Sequence, residues 1–290
     1  MQLVHDAPTL RDTLAGAADP VVLVPTMGAL HAGHLSLVRR ARERAGTSGT
    51  VVVSIFVNPI QFDRRDDLDA YPRPMDADLA ACRAAGVDLV FAPDAASMYA
   101  PDRSVTVSEN SLSRHLCGAA RPGHFDGVCT ICLKLFLLTG CRAAVFGEKD
   151  FQQLAIIRRM VRDLDVPVEI IASATLRESD GLAMSSRNAR LSADQRADAP
   201  RIFRALTAAA RLGNAADILA SARNQIEASP HARIDYLAIV DAATLAPLDS
   251  LTGHSAILAT AVFYGSVRLI DHVSIAGATA NSISTGPVSS

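Results

Sequence analysis

The sequence predicts an α/β fold: a doubly wound, mainly parallel sheet followed by a smaller α+β C-terminal domain. Three observations point there. Short apolar runs with β-branched residues on consecutive positions mark strands covered on both faces. These runs alternate with helical patterns, the signature of a parallel sheet wrapped by helices. After roughly residue 176 the alternation stops and the texture changes.

The strands are expected at VVLVP (21–25), VVVSIFV (51–57), VDLVFA (87–92), AAVFG (143–147) and VPVEIIA (166–172). Between them lie helical patterns from Leu35 to Arg44, Asp76 to Ala85, Val128 to Thr139 and Asp150 to Leu164. Gly86 and Gly140 supply helix stops after two of these. In such sheets a ligand binds at the carboxyl ends of the strands. LRESDGLAMSSRNARLS then reads as a long loop, and SADQ (192–195) as a capping box that opens a helix. A second helix and the strand-like runs IDYLAIV, AILATAVFY and VRLI complete the smaller domain. The boundary is set at 175/176, giving domains 1–175 and 176–290. The tail from Gly277 to Ser290 is small and polar with little to bury, and is expected to be mobile.

The chain has 290 residues, 49% hydrophobic and 20% charged, as in ordinary globular proteins. A net charge of −2 with scattered basic residues gives no reason to expect a nucleic-acid partner. The five cysteines, Cys82, Cys117, Cys129, Cys132 and Cys141, are odd in number and widely spread, unlike a disulfide framework. Cys129 and Cys132 form a C-x-x-C without a second ligand pair, inside what reads as a buried helix, and are expected in the core. The N-terminus lacks a basic region followed by an apolar stretch, and no uncharged run is long enough to span a membrane. A cytoplasmic location is expected.

The segment VVLVPTMGALHAGHLSLVRRARE carries the chemistry. A buried strand ends at Pro25, a turn holds Gly28, Gly33, His31 and His34, and an amphipathic helix follows. Glycine permits close approach of backbone to a ligand, and a helix N-terminus directs unpaired N–H groups at it, which suits phosphate. Two imidazole donors beside those N–H groups can stabilise charge that grows during attack on an α-phosphate. Neither a Walker G-K-[ST] nor a G-x-G-x-x-G is present, which argues against a P-loop enzyme or an ordinary dinucleotide fold. Lys149, in GEKDFQQ (147–153), places a mobile cation at the carboxyl edge of the sheet. In MSSR (184–187), hydroxyls and the Arg187 guanidinium can close over a triphosphate. Asn58 and Gln61, just beyond a buried strand, offer neutral amides to a small polar substrate. The run DRRDDLD (63–69) reads as solvated surface.

H-x-G-H at this position resembles the nucleotidyltransferase superfamily that includes class I aminoacyl-tRNA synthetases, and implies a Rossmann-like sheet of that type. MSSR resembles its second signature, in which a lysine often stands where Arg187 does. The motifs PTMGALHAGH, NPIQFD, YPRP, RPGHFDG, KLF, FGEKDFQQLAIIRRMV and DGLAMSSRN, in this order, resemble the pantothenate synthetase family strongly over residues 20 to 200. Ala32 departs from that pattern, which commonly has an acidic residue there.

The resemblance implies ATP-dependent condensation of pantoate with β-alanine through a pantoyl-adenylate. Carried over by motif, the ATP-binding residues are Pro25, Thr26, Met27, Gly28, Ala29, Leu30, His31, Ala32, Gly33, His34, Gly147, Glu148, Lys149, Asp150, Leu176, Met184, Ser185, Ser186 and Arg187. The resemblance marks His34 as proton donor; the residues themselves read His31 and His34 chiefly as phosphate donors, acting with Lys149, Ser185 and Arg187. Gln61 and Gln153 are implied to hold pantoate, Gln61 also β-alanine, with Asn58 supporting the pocket. Magnesium is expected on the ATP phosphates, with Asp78 a candidate for its outer shell. A homodimer is implied, as is a lid function for the smaller domain. The rival readings are another H-x-G-H enzyme, such as a cytidylyltransferase, or a non-catalytic nucleotide sensor; the sensor would be expected to lose Lys149 or a histidine.

Overall fold

A computed structural model describes residues 1–275. The segment Gly277 to Ser290, expected to be mobile, lies outside the described residues. The first elements are β1 (Gln2–Val4), α1 (Ala7–Ala15), β2 (Val21–Thr26), α2 (Ala32–Ala45) and β3 (Thr50–Ile55). Then come α3 (Arg65–Asp69), α4 (Met75–Ala84), β4 (Leu89–Phe91), α5 (Ala95–Met98), α6 (Leu116–Ala120) and α7 (His124–Thr139). β5 (Ala143–Gly147), α8 (Phe151–Asp163) and β6 (Glu169–Ser173) complete a six-stranded sheet.

The strand order is β1-β4-β3-β2-β5-β6, and every pairing is parallel. Successive strands move outward from β2 in one direction and from β5 in the other, so the winding reverses between β2 and β5. Here the ladder is short: Val22 pairs with Ala143 and Leu23 with Ala144, and the pairing stops there. β2 runs on to Thr26 and β5 to Gly147 without pairing to each other, which opens a crevice at their carboxyl ends.

Period-two alternation sets the two faces of the sheet. Val22, Val24, Val51, Val53 and Val145 share a buried cluster with Leu37, Val38 and Ala41 of α2 and Leu79 and Cys82 of α4. The intervening Phe146 turns the other way and meets Phe136 of α7 edge-on, with ring centroids 6.4 Å apart. All five cysteines are buried and free, Cys129 and Cys132 within α7. Burial pushes the Cys129 thiol up to about 12 and Cys132 also upward, so neither is a thiolate near neutrality.

The chain divides into two compact units, one running from Met1 through Arg196 and one beginning at Ala197. The long loop after β6 thus belongs to the first unit, which ends later than the 175/176 boundary expected from texture. Ion pairs explain the difference: Arg196 contacts Glu178 at 2.5 Å and Asp180 at 2.7 Å, tying the loop's end to its beginning. SADQ forms its box, Ser192 N–H donating to Gln195 Oε1 at 3.1 Å and Gln195 N–H to Ser192 Oγ at 3.3 Å, at the start of α9 (Ala193–Asp198). The second unit contains α10 (Arg201–Ala209), α11 (Ala215–Glu227) and an antiparallel sheet of β7 (Ala232–Asp241), β8 (Ala256–Tyr264) and β9 (Val267–Ile275). Among the described residues no helix is long and apolar enough to cross a membrane.

Candidate active site

The turn after β2 is held by hydrogen bonds to its backbone. Thr26 Oγ1 donates to the Ser54 carbonyl at 2.7 Å and accepts the Gly28 N–H at 3.1 Å. Gly28 has φ +80°, and a Cβ there would meet Asp78 Oδ2 at 2.8 Å and Ile55 Cγ2 at 2.9 Å. Only glycine fits both the angle and the space. Asp78, on α4 and 2% exposed, accepts the N–H groups of Ala29 at 2.8 Å and Leu30 at 2.7 Å. Both of its carboxylate oxygens are therefore turned to the loop, which makes Asp78 a support of that loop.

α2 opens with a capping box built from two histidines. His31 Nδ1 accepts the Gly33 N–H at 3.1 Å, and His34 Nδ1 accepts the His31 N–H at 3.4 Å. A Cβ on Gly33 would lie 2.8 Å from His31 Cε1, so glycine lets the ring fold over the helix end. Because a backbone N–H only donates, each Nδ1 holds a lone pair, and the proton of the neutral ring sits on Nε2. The rings lie 4.0 Å apart between centroids. Burial, reinforced by the charge on Lys149, pushes His31 down to about 4; burial, reinforced by His31, pushes His34 down to about 3. Near neutrality both are uncharged hydrogen-bond donors.

These rings line a cavity of about 240 Å³ at the crevice between β2 and β5. Of the residues expected around the nucleotide, Pro25, Thr26, Met27, His31, Gly33, His34, Gly147, Lys149, Asp150, Leu176, Met184, Ser185, Ser186 and Arg187 line it. Gly28, Ala29, Leu30, Ala32 and Glu148 lie outside this lining, the first three as the supported turn behind it. Lys149 stands in the helical turn Glu148–Asp150 that follows β5, its Nζ 3.8 Å from Asp150 Oδ1.

The MSSR loop is fastened across the chain. Arg187 donates to Asp67 Oδ2 and Arg190 to Asp67 Oδ1, each at 2.9 Å. The Tyr71 hydroxyl lies 3.3 Å from Ser186 Oγ, and the Arg187 guanidinium sits 5.8 Å from the Tyr71 ring centroid. Against the upward push of burial, the two arginines hold the Asp67 carboxyl below the usual carboxylate range. Asp63 contacts Arg121 at 2.7 Å. The run 63–69, expected to be solvated surface, is thus partly structural: its side chains at 63 and 67 are only 25% and 20% exposed.

Among the amides, Asn58 is 1% exposed and Gln61 8%. Asn58 Nδ2 donates to Gln61 Oε1 and to the Gly127 carbonyl, both at 3.0 Å. The Gln61 carbonyl accepts from His124 Nδ1 at 2.7 Å and from Arg121 Nη2 at 3.2 Å. Burial, then Arg121, pushes His124 down to about 4. Gln153 also lines the cavity, with Phe56, Phe62, Val128, Ile131 and Leu135 as an apolar wall. Arg121, His124 and Tyr71 were not singled out as site residues by the sequence, although RPGHFDG and YPRP contain them. Among the described residues no group of three or more His, Cys, Asp or Glu could hold a metal ion.

A parallel sheet with its cavity at the switch point, lined by a histidine-capped helix N-terminus, defines a nucleotidyltransferase-type α/β protein. The family model for pantoate-beta-alanine ligase matches residues 2–274. A pantothenate synthetase of Akkermansia muciniphila is 52% identical over 261 residues, covering 89% of this chain and 92% of that protein. One from Corynebacterium glutamicum is 51% identical, covering 88% and 93%. Crystal structures agree: a Thermus thermophilus pantothenate synthetase superposes with TM-score 0.87 at 44% identity, covering 95% and 99%. A Francisella tularensis pantoate-beta-alanine ligase, complexed with beta-gamma ATP and beta-alanine, gives 0.79 at 29% identity, covering 94% and 97%. The chain belongs to the pantoate-beta-alanine ligase family.

Proposed function

We propose that the chain condenses pantoate with β-alanine, converting ATP to AMP and pyrophosphate through a pantoyl-adenylate. The observation that carries this reading is one cavity lined by two chemically distinct sets of residues. His31, His34, Lys149 and Arg187 supply phosphate donors, and the amides of Gln61 and Gln153 line the same cavity together with apolar side chains. Family membership and the ligands of the Francisella relative support it.

In the first step a pantoate carboxylate oxygen attacks the α-phosphorus, and the bond to pyrophosphate breaks. Charge grows on the phosphoryl oxygens, and donors already in place stabilise it without reorganising. His31 and His34 suit that task, since their Nδ1 atoms are engaged by the helix backbone and their Nε2–H groups are left to donate. Lys149 and Arg187 add full charges for the departing pyrophosphate. Gln61 and Gln153 hold pantoate, with Gln61 also reaching β-alanine. In the second step the neutral β-alanine amine attacks the acyl carbon, AMP leaves with the bonding electrons, and the nitrogen releases a proton to the departing phosphate or to solvent. The wall of Phe56, Phe62, Val128 and Ile131 keeps water from the mixed anhydride.

A single carboxylate in the cavity lining fits a magnesium ion that would arrive on the nucleotide and would not be held by a protein site of its own. Asp150 is the carboxylate lining the cavity, while each oxygen of Asp78 accepts a backbone N–H of the turn. Such an ion would neutralise phosphate charge, with Asp150 the carboxylate that would help to hold it. We further propose a homodimer and a cytoplasmic location, as the sequence resemblance implies. In the deciding experiment the protein is incubated with ATP, magnesium, pantoate and β-alanine, and AMP is measured. AMP release that requires both acid and amine is expected. AMP that forms no faster with both than with neither would sink the reading.

A further inference from the structure

Gln61 is gripped so that its amide has one end to offer. An amide presents an acceptor oxygen and a donor NH₂. The oxygen of Gln61 is taken by Asn58 Nδ2 at 3.0 Å, while Gln61 Nε2 meets only Met27 Sδ, at 3.0 Å among the contacts described. A thioether is a weak acceptor that a substrate oxygen readily replaces. Asn58 is itself fixed by two outside contacts. Its second Nδ2 hydrogen goes to the Gly127 carbonyl, and its Oδ1 accepts the Tyr99 hydroxyl at 2.8 Å. Flipping Asn58 would set its oxygen against the Gly127 carbonyl, two acceptors facing each other.

We propose that Tyr99 is a positioning residue for the acid substrate: through Asn58 it fixes Gln61 with the NH₂ end toward the cavity, which selects an acceptor such as a carboxylate or hydroxyl. This rests on the reading that Gln61 binds the acid. Tyr99 does not line the cavity and acts only through Asn58. Its ring is held on several sides: Phe56 lies 6.2 Å away, Arg103 5.5 Å and Lys134 5.4 Å from the ring centroid. Lys134 also donates to the carbonyl of Met98, the residue before it. Burial pushes the Tyr99 phenol up to about 12, so the hydroxyl keeps its proton throughout the working range. Loss of the hydroxyl strands Asn58 Oδ1, in a side chain 1% exposed, without a donor. With that acceptor unpaired, the Asn58 side chain is held by the Gly127 carbonyl alone outside Gln61, and its grip on Gln61 loosens.

The test is steady-state kinetics on Tyr99→Phe, Gln61→Ala and the double variant, with pantoate and ATP varied separately. Tyr99→Phe keeps the ring and is expected to raise the pantoate KM about tenfold while the ATP KM stays within about twofold. On the Gln61→Ala background it should add no more than about twofold, because both changes act on one contact. Asn58→Asp gives an independent check. The new carboxylate cannot donate to Gln61 Oε1, so the Gln61 amide reverses and the pantoate KM rises again without a matching rise for ATP. The proposal is overturned if Gln61→Ala raises the pantoate KM while Tyr99→Phe leaves it unchanged, whatever Asn58→Asp does, or if the two changes in the double variant multiply fully. An unchanged pantoate KM in Gln61→Ala would remove the assignment of Gln61 itself, and the proposal with it.

Discussion

His34 and Lys149 reach the same cavity with different electrical characters. The field of Lys149 lowers the proton affinity of His31 and His34, and burial does the larger part. Such a histidine is a poor proton reservoir and a good neutral donor, because one nitrogen is committed to the helix backbone. His34→Ala and Lys149→Ala should each lower kcat/KM by ~10²–10³ with the fold intact, the usual loss for one preorganised donor. A Gln at position 34 separates donation from proton transfer: its amide can donate but cannot shuttle a proton. His34→Gln is expected to recover part of what His34→Ala loses, measured as AMP release. Equal rates for the two variants would assign His34 a role in proton transfer instead.

At the scale of elements, α3 and the MSSR loop are two short pieces that order each other. Asp67 engages two arginines of the loop, and Tyr71 stands beside both Ser186 and Arg187. Asp67→Asn keeps the shape but removes the charge that holds both guanidinium groups, and hydrogen bonds to charged groups are worth about 1.5–3 kcal/mol each. Amide hydrogen exchange at 184–190 is expected to quicken about tenfold or more, with exchange in β2 and β3 unchanged; unchanged exchange in the loop would show that Asp67 does not hold it. This pairing also marks where reading the sequence stopped. The strand, turn and helix around H-A-G-H were legible because all their determinants lie within about twenty residues and obey local periodicities. The partners of Asp67 stand 120 and 123 residues away, and Tyr99 is 41 residues from Asn58. No spacing rule links such pairs, so a charge run that reads as solvated surface can hide a tether. β1 and α1 were not anticipated either: a strand of three residues is too short to show a period.

At the scale of the molecule, three half-buried histidines of the first unit have depressed proton affinity around one cavity: His31 at about 4, His34 at about 3 and His124 at about 4. An unfolded histidine titrates near 6.5, so between about pH 6.5 and 4 the unfolded chain binds more protons than the folded one. The slope of unfolding free energy with pH is positive in that window, so stability present above pH 6.5 is lost as pH falls toward 4. The tethered carboxylates Asp63 and Asp67 lie below their ordinary range and lose their contributions further down, which leaves the upper part of the window to the histidines. Because the sequence contains no tryptophan, calorimetry or circular dichroism is the suitable readout. The unfolding midpoint of the first unit should fall steadily from pH 6.5 to 4.5, and the fall should be shallower in His34→Gln, which has nothing to protonate there. ATP should flatten the same curve further, because phosphate charge beside His31 and His34 favours their protonated forms and raises their folded affinities toward the unfolded value. A midpoint that stays flat or rises on acidification would mean that these rings are solvated and charged in the folded protein, and would remove the basis for treating them as neutral phosphate donors.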